Sequence, residues 1–294
     1  MSSPDLVRST LQTDHGLISI SDSFVDSDKP TLLLIHGNSS CSRIFSPIIS
    51  NPSITKHRRI ITFDLPGHGA SSDAPDPAKT YSMRGYADLA VEILAHLCID
   101  RVVVLGWSLG GHIGIEMIPL MPPALMKMKG LMIVGTPPAL GLAQTSAGFK
   151  IKDAHMSLAA QEHFSEQDVH DFSHATVGGP FQQWMQETVA RTDGKSRFLM
   201  WKAFAGGVGV DQRKVMETED DVLVAVVNGG AEPFVELDYL DEIKWKRLWQ
   251  GKCLRLEGLG HAPFWEKPEA FSPVLENFLN DCDNDLYTSE HLDV

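Results

Sequence analysis

No run of about eighteen apolar residues occurs anywhere in the 294-residue chain, so a membrane-spanning helix is excluded as a reading of the sequence. The opening "MSSPDLVRSTLQTDHG" has neither the basic n-region nor the apolar h-region of an export signal. Cysteine is scarce. Cys41, Cys98, Cys253 and Cys282 are scattered without a CxxC pair, which argues against a disulfide framework of the secreted kind. Free thiols and a cytoplasmic location are the expectation. Positive charge is also short, with 25 Lys and Arg against 38 Asp and Glu, a formal net charge of −13. Such a field repels phosphates, so neither nucleic acid nor a membrane surface is expected as a partner, and a small neutral substrate fits better. There is no internal repeat and no low-complexity tract.

What is present is an ordinary globular composition, 43% hydrophobic, long enough for one large domain or a core with an insertion. "LVRSTLQ" and "LISISDSF", separated by Asp14, His15 and Gly16, predict an opening hairpin. "TLLLIHG", "RIITFDLPGHG", "RVVVLGWS" and "GLMIVGTPP" are rich in Val, Ile and Leu, as strands buried on both faces require. "YSMRGYADLAVEILAHLCI" carries Tyr86, Leu89, Val91, Ile93, Leu94 and Leu97 mostly on one stripe and predicts a crossover helix. After Ser108, "LGGHIGIEMIPLM" predicts a second helix ending near Pro119 or Pro122. Strands alternating with helices make the fold class α/β, with a mostly parallel central sheet. From Pro137 to Arg213 the alternation breaks into helical and irregular stretches. The expected organisation is therefore a core over 1–136 and 214–282, an inserted helical cap over 137–213, and an acidic tail over 283–294.

Within "VVVLGWSLGGHIGIEM", Ser108 lies between Gly106 and Gly110. A GxSxG occurs by accident in a chain this long about one time in ten, so its setting decides. Here it follows a β-branched strand and opens a helix, the setting of a nucleophile elbow, against the competing reading of an ordinary serine in a glycine-rich turn. The elbow leaves the N–H of Leu109 at the helix N-terminus, aimed at a developing oxyanion. A second donor is expected from the N–H of Asn38 in "LLLIHGNSS", whose side-chain amide could also orient substrate; an Asx or ST turn is the alternative there.

A serine hydroxyl needs a base. Of twelve histidines, His36 and His68 lie in glycine turns, His96 and His112 in helices, and His155, His163, His170 and His174 in the expected cap, where packing, surface or at most substrate lining suits them. His261 in "LEGLGHAPFWEKP" follows the last predicted strand, the position of the base when the chain order is Ser, acid, His. The acid that orients it is expected at Glu232, just past "VLVAVVNG", with Glu236 second and Asp238 and Asp241 as further rivals.

"HGNSS", "DLPGHG", "YSMRGYAD", "GWSLGGHIGIEM", "GTPP", "ARTDG", "VVNGGAEPFVELDYL" and "GHAPF", spread from Thr31 to Cys282, resemble the α/β-hydrolase superfamily. They are most similar to its N-acylhomoserine lactonases. The resemblance implies an α/β-hydrolase fold, a triad of Ser108, Glu232 and His261, and opening of the lactone ring of quorum-sensing signals without a metal or other cofactor. The zinc-binding HxHxDH motif of the other large lactonase class is absent. Where the family pattern carries a tyrosine able to reach the lactone, this chain has Phe172. Trp107, beside the nucleophile, and Phe172 and Trp184, among the aromatics of the cap, are expected to contact substrate, alongside Asn38. A carboxylesterase, carbon–carbon bond hydrolase or perhydrolase would use the same machinery. A slow-turnover lactone receptor is the rival of a different class. Dehalogenases and epoxide hydrolases would need Asp where Ser108 stands.

Overall fold

A computed structural model describes residues 6–284. The hairpin forms as expected from β1 (Val7–Thr13) and β2 (Gly16–Asp22), and β2 then pairs antiparallel with β4 (Ile60–Phe63). From there the sheet is parallel: β3 (Thr31–Ile35), β5 (Arg101–Trp107), β6 (Lys127–Val134), β7 (Leu223–Gly229) and β8 (Leu254–Leu256). The spatial order is β1-β2-β4-β3-β5-β6-β7-β8, which puts β5 near the middle and its C-terminal end among loops from both neighbours.

The central strands are buried on both faces because alternate side chains enter two different cores. Leu33, Ile35, Val102, Val104 and Ile133 face one; Leu32, Leu34, Val103, Leu105 and Val134 face the other. The first core is closed by helices α1 (Met83–His96) and α2 (Leu109–Met117). Ser82 caps α1 by accepting from the Gly85 N–H, and Tyr86, Leu89, Ile93 and Leu94 form its buried stripe, while Val91 is half-buried. After α2 the chain makes one 3-10 turn, Ile118–Leu120, and stops short of Pro122.

Between β6 and β7 the chain runs through helices α3 (Gly141–Gly148), α4 (Ala154–Leu158), α5 (Glu166–Val177), α6 (Gln183–Arg191), α7 (Gly194–Ala205) and α8 (Gln212–Thr218), with no strand among them. Polar bonds fasten this segment to the loop after β4. Arg191 donates to the carbonyl of Ser71 at 2.6 Å, the Asp193 N–H donates to Gly67 O at 2.9 Å, and the Tyr81 hydroxyl donates to Asp193 at 2.7 Å.

The second core is closed by α9 (Pro268–Asp283), through Phe271, Leu275, Phe278 and Leu279. Asp283, assigned above to the tail, ends this helix instead. Its carboxylate accepts two bonds from the buried Arg58, at 2.6 and 2.7 Å, and this pairing holds it in the fold. Of the rest of the expected tail, Asn284 caps the helix and residues 285–294 lie outside the described residues. No helix among the described residues is long and apolar enough to cross a membrane.

Candidate active site

Ser108 follows β5 with φ 55° and ψ −117°, a backbone that L-residues rarely adopt, and α2 begins at the next residue. Its flanking glycines are required by close approach. A Cβ on Gly106 would stand 2.3 Å from Gly110 O, and one on Gly110 2.0 Å from Ile35 O. Two bonds hold the turn: the Ser108 N–H donates to Val134 O at 2.7 Å, and the Thr136 hydroxyl donates to Ser108 O at 2.7 Å. The N–H groups of Leu109 and Asn38 have no protein acceptor among the described residues.

The loop carrying Asn38 is braced by His36. Its Nε2 accepts from the Leu65 N–H at 3.0 Å while Nδ1, 2.8 Å from Gly37 O, is the donor. Burial lowers its pKa, in keeping with a neutral ring that packs and does not react. The Asn38 amide is held at both ends, with one N–H and one oxygen lone pair left over. Nδ2 donates to Ala159 O at 3.0 Å and Oδ1 accepts from the Ser39 hydroxyl at 3.2 Å. Asn38 lines the pocket, and its main-chain N–H has no acceptor among the described residues.

His261 follows β8, and its Nδ1 lies 2.9 Å from both carboxylate oxygens of Glu232. Both side chains are buried, at 4% and 0% exposure, so the pair is shielded from competing water. Glu232 Oε1 also accepts from the Phe234 N–H at 2.9 Å. The Ala231 N–H donates to Leu259 O at 2.8 Å, tying the loop after β7 to the loop that carries His261. Trp107 Nε1 donates to His261 O at 2.8 Å, and a Cβ on Gly135 would meet the imidazole at 2.5 Å, so the ring is confined. The rival acids are elsewhere: Glu236 precedes a short helix, Leu237–Asp241, and Asp238 and Asp241 pair with Arg255.

Ser108 and His261 face one pocket, which Asn38, Trp107 and Phe172 also line. No hydrogen bond joins Ser108 to His261 among the described residues; such contacts commonly tighten only when substrate is bound. Trp184 is not in this pocket. It packs edge-on to Trp265 with the Arg43 guanidinium 4.8 Å from its ring centroid. Phe149, His155, Met156, Ala159, Thr176 and Phe234 complete the lining. Of these, His155 is one of the cap histidines for which substrate lining was the most that the sequence suggested. Thr176 follows Phe172 by four residues on α5, a spacing that puts both on one face and is the signal by which it could be found.

A profile of the alpha/beta hydrolase family matches residues 32–274. Among solved structures, the chain is similar to the N-acyl homoserine lactonase AidH complexed with N-butanoyl homoserine, with TM-score 0.88 and 46% identity, covering 94% of this chain and 97% of that one. A mutant of AidH complexed with N-hexanoyl homoserine lactone is similar to the same degree, at 45% identity over 95% of this chain and 99% of that one. Among curated proteins, the pimeloyl-[acyl-carrier protein] methyl ester esterase of Nitrosomonas europaea is 24% identical over 259 residues, 82% of this chain and 92% of the relative.

Proposed function

The chain belongs to the alpha/beta hydrolase family, and from that premise we propose that it opens the lactone ring of N-acylhomoserine lactones, degrading quorum-sensing signals. The single observation that carries the reading is that His261, paired with the buried Glu232, lines the same pocket as Ser108 in its strained turn. Likeness to AidH over nearly the whole chain supports the substrate.

In this mechanism His261 Nε2 takes the Ser108 proton as Oγ adds to the lactone carbonyl. The oxyanion is held by the N–H groups of Asn38 and Leu109, each donor worth about 10²–10³ in rate. Collapse breaks the ring C–O bond, and His261 returns the proton to the alkoxide. The leaving hydroxyl stays tethered in the acyl-enzyme, so water must outcompete ring closure. Water then attacks with His261 as base, the Ser108 ester breaks, and an N-acylhomoserine carboxylate leaves. Trp107 and Phe172 line the acyl side, and residues 137–213 act as a cap over the core. A cytoplasmic, metal-independent enzyme is the form this reading takes.

The esterase relatives favour a second reading, hydrolysis of simple carboxylic esters at the same serine. Acid release from lactones of several chain lengths, with EDTA present, tests both in wild type and Ser108→Ala. EDTA-resistant turnover abolished in Ser108→Ala is the expected result. No lactone turnover with Ser108-dependent cleavage of aryl esters would replace the first reading by the second.

A further inference from the structure

Arg197, on α7, is 3% exposed and pairs with no carboxylate among the described residues. Burial lowers its pKa to about 10. Its acceptors are all neutral: Nη1 donates to the Ser39 hydroxyl at 3.2 Å, Nε to Gln161 O at 2.9 Å and Nη2 to Glu162 O at 3.2 Å. One guanidinium face lies 3.9 Å from the Phe164 ring centroid. Asp193 attracts the cation without bonding it and only partly offsets the burial; this is a costly way merely to fill space, and apolar residues usually pack such a site as stably.

What the cation imposes is direction. Arginine can only donate, so Ser39 Oγ must accept from it and spend its own proton on Asn38 Oδ1. That bond fixes which end of the Asn38 amide is oxygen, and Nδ2 then points to Ala159 O. The same guanidinium grips Gln161 and Glu162, in the turn that presents Ala159. Ser39 itself has φ 56°, a left-handed conformation that nothing in a free loop would favour.

We propose that Arg197 is a positioning residue for the oxyanion loop, fixing Asn38 through Ser39 on one side and through the turn at residues 159–162 on the other. This rests on the serine hydrolase reading above. The Asn38 N–H meets negative charge only in the transition state, so loosening it lowers kcat and leaves KM little changed. A residue that only fastened the helical segment would lower stability or raise KM instead.

The test measures kcat, KM and Tm with p-nitrophenyl acetate for Arg197→Met, Arg197→Lys, Ser39→Ala, the Arg197→Met/Ser39→Ala double variant and Ser108→Ala. Arg197→Met is expected to lower kcat about tenfold or more, with KM within about twofold. The double variant is expected to be no slower than Arg197→Met, because both changes cut one relay. Arg197→Lys keeps the charge without the fork, and is expected to recover Tm but not kcat. Full kcat in Arg197→Met, a loss confined to KM, or losses that multiply in the double variant would overturn the proposal. If Arg197→Met does not fold, Ser39→Ala decides, and a kcat equal to wild type would overturn it. Ser108→Ala run alongside separates the two claims. Its retained turnover would remove the hydrolase reading itself, whereas its inactivity beside a fully active Arg197→Met would remove only the role of Arg197.

Discussion

Glu232 and His261 form a buried pair whose two partners are not equally replaceable. Glu232→Gln keeps an oxygen able to accept from Nδ1, yet its NH₂ can stabilise the opposite imidazole tautomer, with Nε2 protonated and unable to take the Ser108 proton. We expect kcat to fall by about 10³–10⁴. His261→Ala removes the base altogether and is expected to cost more, both measured against Ser108→Ala as the background rate. A Glu232→Gln variant as active as wild type would remove the acid from the mechanism. The turn at Ser108, the helix start at Leu109 and the loop position of His261 were legible in the sequence because they follow from local rules: a turn between glycines at a strand end, and a loop after the last strand. The Asn38 amide was not legible. Its partner Ala159 is 121 residues away, and no local pattern marks a carbonyl that will arrive from another element.

At the scale of elements, α2 is joined to α8 by polar groups inside the first core. His112 Nδ1 lies 2.7 Å from Gln212 Oε1, Gln212 Nε2 donates to Glu116 at 3.4 Å, and the Val210 N–H donates to Glu116 at 3.0 Å. Burial pushes the His112 pKa from 6.5 down to about 4, and pushes Glu116 up. The unfolded chain therefore binds a proton at His112 that the folded chain refuses, so stability present above pH 6.5 is lost as pH falls toward about 4. Glu116, raised, acts in the opposite sense. His112→Asn keeps a donor toward Gln212 without the titration. Urea unfolding between pH 7 and about 4 is expected to show one fewer proton taken up on unfolding. A pH dependence identical to wild type would mean that His112 is charged in the fold. The helical character of residues 137–213 was legible because the buried-strand pattern stops there. The direction of each aromatic was not: Phe172 and Trp184 belong to neighbouring helices, yet one meets the pocket and the other meets Arg43 and Trp265.

Across the whole molecule, the alternation of apolar runs predicted the two-faced sheet, and the observed strand order places Ser108 between loops drawn from widely separated parts of the chain. Net charge of −13 belongs to this scale as well, since any carboxylate that an ester hydrolase releases is an anion that the protein's field disfavours retaining. The bond from Arg58 to Asp283 has a practical consequence. It pins the last helix beside the N-terminal ends of the parallel strands, and β1 starts at that end too, since Val7 pairs with Asp22 and Asp22 with Ile61. Both ends of the described chain thus emerge from the side of the sheet opposite the pocket. Enzyme anchored to a bead through either terminus should present an unobstructed mouth to the medium, with the turnover per molecule of free enzyme. Coupling through a cysteine introduced on α5 should instead throttle it, and a flow-through assay of the two preparations would read the difference directly.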